Sequence, residues 1–183
     1  ANSAIIDPDP SGGLCLKSSR NTHVLLDVTG TFQVGLIPTL TPVRLLDTRS
    51  GQLGSLEQPD GWVGSDLTAM LAPNVPLMVQ VVGIDGIPDG ATGLAVNVTA
   101  LGATGNGFVT VYGCPEWDIT PPPTSTLNLV PGRAVANSAI VKGDGKSLCI
   151  VASRAVHVIV DMTGYFEFGY QAEWQPERLL DTR

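Results

Sequence analysis

The chain has 183 residues, 43% of them hydrophobic and only 15% charged, with 21 glycines and 14 prolines. That is enough for one ordinary domain with some chain left over, and the balance suits short strands and tight turns rather than long helices. The net charge of -7 comes from scattered carboxylates, and without a lysine- or arginine-rich run to neutralise phosphates neither nucleic acid nor an anionic membrane is expected as a partner.

Near the N-terminus, Asp7-Pro8-Asp9-Pro10-Ser11-Gly12 begins like a calcium loop, with oxygen ligands at alternate positions before a glycine. Ser18 stands where the closing glutamate would be, so an acidic turn is the expected reading and no metal is assigned. His23, Leu25 and Asp27 follow at the two-residue period that places side chains on one face of a strand. The next strand is predicted at Arg44–Arg49. Ser50–Gly64 reads as a long loop, because its glycines, acidic residues and Trp62 follow no period.

Further strands are predicted at Leu77–Val82, Leu94–Thr99, Phe108–Tyr112, Thr126–Val130, Ala136–Val141, Leu148–Ala152 and Val156–Phe166. In Leu94–Thr99 the alternation is explicit: Leu94, Val96 and Val98 fall on one face, Ala95, Asn97 and Thr99 on the other. Ile84-Asp85-Gly86, Pro88-Asp89-Gly90, Gly102–Gly107 and Gly143-Asp144-Gly145 supply turns. Asp118–Pro123 ends in consecutive prolines, which cannot donate to a ladder, and must be a surface connection or edge. Strands at this spacing make an all-β fold, an antiparallel β-sandwich or jelly roll.

The sequence also repeats itself. Ala1–Ile5 recurs as Ala136–Ile140, Leu14-Cys15 as Leu148-Cys149, His23-Val24 as His157-Val158, and Thr29-Gly30 as Thr163-Gly164. Arg44-Leu45-Leu46-Asp47-Thr48-Arg49 returns whole as Arg178–Arg183. The offset is 134 from Leu14 onward (148 less 14) and 135 for the first block (136 less 1), so one copy carries one extra residue, which belongs in a turn. Solenoid periods run roughly 20–50 residues, so a longer period implies that each unit is a whole domain, tandemly repeated. On this reading 42–169 is a complete unit, 1–33 the last strands of a preceding one and 176–183 the first strand of a following one. The segments 34–41 and 170–175 are linkers.

The RLLDTR segment at 44–49, NVTA at 97–100, GFVTVYGC at 107–114, ANSAIV at 136–141 and VDMTGYF at 160–166 together resemble a repeat module of large secreted or surface proteins of actinobacteria and related bacteria. The resemblance extends over 42–169 and both partial copies. Such modules occur in tandem or beside cell-wall hydrolase domains, which implies an accessory role rather than catalysis, and no ligand residues carry over. An extracellular or cell-surface location is implied too. No apolar segment approaches the ~18 residues that span a bilayer, and any export signal is expected upstream.

The repeat accounts for an odd number of cysteines: Cys114 and Cys149 share one unit, and Cys15 is the counterpart of Cys149. A Cys114–Cys149 disulfide is expected, with Cys15 unpaired or intermolecular; three buried thiols are the alternative. Three further groups of residues stand out. His23 with Asp27, and His157 with Asp161, look like histidine–carboxylate pairs, yet several ångströms separate such residues along a strand and no nucleophile elbow accompanies them. Arg44, Asp47, Arg49 and Asp161 could form an ion-pair brace where the first strand of a unit meets the last. Asn97 opens a glycosylation sequon but sits inside a predicted strand, where a polar ladder residue is expected.

Trp62, Trp117 and Trp174 lie in predicted loops or linkers, suited either to packing one unit on the next or to stacking on sugar rings. The leading expectation is therefore a non-enzymatic structural or adhesive module without cofactor, whose partners are other copies of the same repeat. It would contribute to a layer, fibre, sheath or stalk by unit–unit packing or strand complementation. The competing expectation is a carbohydrate- or cell-wall-binding module attached to a secreted hydrolase.

Overall fold

The computed structural model describes residues 11–13, 15–18, 20–32, 37–50, 52–53, 68–81, 87–88, 90–114, 118–142, 147–167 and 170–181. Among them the chain forms eleven strands and no helix: β1 (Leu25–Phe32), β2 (Ile37–Asp47), β3 (Gln52–Leu53), β4 (Leu77–Gln80), β5 (Gly93–Leu101), β6 (Gly107–Gly113), β7 (Leu127–Leu129), β8 (Val135–Lys142), β9 (Ser147–Ala152), β10 (His157–Phe166) and β11 (Tyr170–Asp181). Nine of these make two antiparallel sheets, ordered β3-β2-β10-β5-β8 and β4-β9-β6-β7.

The sheets pack as a sandwich because the period-two alternation of each sends its apolar side chains the same way. Leu94, Val96, Val98 and Ala100 of β5 and Val158, Val160 and Met162 of β10 share one buried cluster with Val109 and Val111 of β6, Leu127 and Leu129 of β7, and Leu148, Ile150 and Ala152 of β9. Burying each aliphatic side chain fully contributes about 1.5–3 kcal/mol, so this two-sided cluster holds the layers together.

β9 departs from the half-buried pattern: all six of its residues are buried. Its other face, with Cys149 and Val151, joins Tyr112, Cys114 and Met78 in a second cluster. The proline-rich segment lies against this cluster, tied to β6 by Tyr112 Oη donating to the Ile119 carbonyl (2.6 Å) and Thr110 Oγ1 donating to the Thr124 carbonyl (2.5 Å). A segment that cannot join a ladder thus serves as a cover.

β2 carries an extra residue relative to β10. Val160 faces Leu46 and Asp161 faces Arg44, which leaves Leu45 as a bulge. A bulge shifts the alternation by one, and its effect is visible in burial: Leu45 and Leu46, adjacent in sequence, are both inaccessible. The same shift puts Arg44 and Asp47, three residues apart, on one face, since their partners Asp161 and Ile159 are two apart on β10.

The remaining strands, β1 and β11, form a two-stranded antiparallel sheet. Its pairs include Leu26↔Leu180, Asp27↔Arg178, Gly30↔Ala172 and Phe32↔Tyr170, with a shift between Leu26 and Asp27. The β10–β2 ladder reads Val160↔Leu46, Asp161↔Arg44 and Gly164↔Pro38, with its shift between Val160 and Asp161. Adding 134 to each β1 number (26 to 160) and subtracting 134 from each β11 number (180 to 46) turns one set into the other, irregularities included, for every pair but Phe32↔Tyr170, whose counterpart would involve residue 36, outside the described residues.

The segments expected to be linkers, 34–41 and 170–175, are strand wherever they are described: β2 begins at Ile37 and β11 at Tyr170. Pairing explains the difference, because Ile37 and Pro38 lie opposite Tyr165 and Gly164, and a sequence with prolines at 38 and 42 shows no alternation to announce it. Gln52 and Leu53, within the expected loop 50–64, instead add β3 to the sheet edge opposite Asp47 and Leu46. Residues 54–64 of that loop and the turns at 84–86 and 143–145 lie outside the described residues, whereas Gly102–Gly107 leads from β5 into β6.

Candidate functional site

The densest constellation of charged and polar groups sits where β2 meets β10, on the face of the five-stranded sheet turned away from the core. Arg44 lies opposite Asp161, Asp161 opposite Asn97 of β5, and Asn97 opposite Ser138 of β8. A polar row therefore crosses four strands. Asn97 occupies its middle, half-buried between Asp161 and Ser138 in the ladder.

Arg44 binds both acids, with Nε donating to Asp161 Oδ1 (2.5 Å) and Nη1 donating to Asp47 Oδ2 (2.9 Å). Asp47 is only 3% exposed. It also accepts from Arg49 through Nε (2.9 Å), Nη2 (2.7 Å) and the backbone N–H (3.0 Å). Every oxygen of this buried carboxylate is thus met by a charged or backbone donor, the condition under which a buried charge is tolerated. The side-chain bonds from Arg49 outweigh the opposing effect of burial and hold the Asp47 carboxyl at about 2, against an ordinary 3.8. The backbone bond from Arg49 also forms an Asx turn that ends β2, reinforced by Ser50 N–H on the Asp47 carbonyl (3.3 Å).

Thr48 closes the other end. Its Oγ1 accepts from the Val158 N–H (2.9 Å) and contacts His157 Nδ1 (3.2 Å), while its own N–H donates to the Val158 carbonyl (3.1 Å). The RLLDTR segment therefore engages the His-x-x-x-Asp pattern of β10 at two points, Thr48 on His157 and Arg44 on Asp161. His157 and Asp161 are engaged by different partners and, four residues apart on a strand, lie roughly 13 Å from one another by strand rise. They do not form a dyad; their shared task is to receive β2. The pairing of the two motifs in both copies has the same physical reason, since one is the receptor of the other.

Cys114 and Cys149 are joined in a disulfide, with Cα atoms 5.7 Å apart. It links the residue following β6 to the middle of β9 beneath the proline-rich cover. Cys15 is a free, exposed thiol. Trp62 and Trp117 lie outside the described residues, as do Asp7–Pro10; Trp174 falls within β11. Among the described residues no group of three or more His, Cys, Asp or Glu is placed to hold a metal ion, and no helix is long and apolar enough to cross a membrane.

Sequence reasoning did not single out Thr48, whose hydroxyl joins β2 to both the ring and the backbone of β10, or the Leu45 bulge that aligns Arg44 with Asp47. A signal existed: two leucines in succession inside an otherwise alternating strand violate the period, and a bulge restores it. The contact between Tyr112 and Ile119 had no such signal, because it depends on the path of a loop.

Comparisons with protein families, with curated proteins and with solved structures give no match.

Proposed function

We propose that this chain is a non-enzymatic structural or adhesive repeat module that acts outside the cell, contributing to a surface layer, fibre, sheath or stalk through unit–unit packing or strand complementation. One observation carries the reading: a duplicated pair of strand sequences, β1 with β10 and β2 with β11, makes two ladders in one register. Repeating a strand together with its receptor is what serial joining of like units requires. A catalytic centre has no such need.

Two further features support it. The disulfide suits an oxidising compartment. The most strongly connected polar groups, Arg44, Asp47, Arg49 and Asp161, satisfy one another, which leaves them engaged in holding strands rather than poised for a substrate.

Electron microscopy and light scattering of the purified chain over a range of concentrations test the reading. Regular filaments, sheets or a concentration-dependent series of oligomers are expected. A chain that stays monomeric throughout and is instead retained on insoluble cell-wall glycan, with retention lost in Trp62→Ala or Trp117→Ala, would overturn it in favour of a glycan-binding module.

A further inference from the structure

We infer that the β1–β11 ladder is a strand-exchange joint through which β11 of one copy of this chain pairs with β1 of a second copy. The inference names the partner and the joint of the structural role proposed above, and it rests on that reading.

β10 receives β2 through a set of features all legible in sequence: His157 for Thr48, Asp161 for Arg44, and the bulge at Leu45 that brings Arg44 and Asp47 to one face. β1 and the residues just before it carry the receptor set again as His23, Asp27, Thr29 and Gly30, and β11 carries the insert again as Arg178, Leu179, Leu180 and Asp181. Their backbones meet as that sequence demands, with Asp27 opposite Arg178 and Leu179 in the bulge position. β1 therefore recognises a sequence, not a location in its own chain, and any copy of β11 presents it equally well.

Exchange between copies makes the same hydrogen bonds that it breaks. The balance between closure within one chain and joining of two is then set by concentration against the effective concentration of the tethered strand, not by the strength of the ladder. Two other facts favour the joined state. The β1–β11 sheet has two strands only, held within the chain by one ladder and by contacts with β8 and β6, so its opening breaks a single ladder. Among the described residues each of its strands has a partner on one edge alone, whereas β10 in the five-stranded sheet is flanked by both β2 and β5. Open edges of this kind are where further chains pair.

Directly opposed residues in an antiparallel pair have Cα atoms about 4.5–5.5 Å apart, within disulfide range, so Thr31 and Gln171, which are paired, can report the joint. In a Cys15→Ser background, one copy carries Thr31→Cys and a differently tagged copy carries Gln171→Cys, and the two are co-expressed in an oxidising compartment. A reducible two-chain species containing both tags, several-fold more abundant than the two-chain species of either copy alone, is the expected result. The single chain carrying both substitutions is the companion measurement. If it closes within itself while the mixed copies remain single chains, exchange is overturned although the ladder stands. If neither forms, the ladder and the inference fall together. Electron microscopy of the parent chain separates these outcomes from the wider reading: assemblies without cross-copy disulfides leave the structural role in place and remove only this joint.

Discussion

Asp47 illustrates how a single buried carboxylate can be stabilising and pH-sensitive at once. Its carboxyl titrates at about 2 in the folded chain and at 3.8 in an ordinary environment. The folded value is the lower one, so its contribution is fully present above about pH 4 and is lost as the pH falls towards 2. Unfolding midpoints in urea are expected to decline across that window by the equivalent of at most about 2 kcal/mol from this group. Asp47→Asn should lower stability at neutral pH and flatten the same window, and an unchanged slope in that variant would show that other carboxyls govern it. Thr48 makes a sharper case because its hydroxyl has no charge to be screened. Thr48→Val keeps the shape but leaves the buried Val158 N–H without the Oγ1 acceptor, at a cost of about 1–3 kcal/mol. Thr48→Ser restores the acceptor and should recover most of the loss in chemical denaturation; equal losses in both variants would assign the effect to packing of the methyl group instead.

Among the elements, those with clean alternation were legible from sequence and those defined by a neighbour were not. Leu94–Thr99 and Val156–Phe166 were readable as strands because apolar residues at every second position point into a shared core. Ile37–Thr41 was not, since its strand state follows from the partner β10 and not from its own residues. Burial of both faces of β9 was likewise hidden, because it follows from the proline-rich cover and its tie to Tyr112. The disulfide belongs to this scale. It closes a separation of 35 residues between the end of β6 and the middle of β9, and loop-closure entropy for that length corresponds to about 4 kcal/mol, with about 2–4 typical of measured cases. Replacing both cysteines with alanine should lower the free energy of unfolding by that amount. Because Cys149 is inaccessible in the folded state, reductant is expected to cleave the bond only as fast as the sandwich opens; rapid reduction of the native protein would contradict the buried position.

At the scale of the molecule, duplication was visible in sequence, whereas the fact that both copies of the strand pair share one register was not, because register depends on which strands meet. Two strand pairs of one register now stand in unequal settings. The Arg44–Asp161 pair belongs to a sheet whose other face builds the main core. Asp27 and Arg178 are opposed in a sheet of two strands. Equivalent substitutions should therefore have unequal effects. Asp161→Ala removes an acceptor from a half-exposed ion pair within the cooperative sandwich, and the main thermal transition is expected to fall by the equivalent of about 1 kcal/mol, or roughly 2–4 °C. Asp27→Ala acts outside that core, so the main transition should stay within about 0.5 kcal/mol of the parent. Its effect should appear in hydrogen exchange, as faster exchange confined to the amides of β1 and β11, which open locally at a lower free energy than the sandwich. Equal depression of the main transition by both substitutions would mean that the ribbon and the sandwich unfold as one body. In that case β1 and β11 would part only when the whole molecule unfolds, and exchange of strands between folded copies would have no low-energy route.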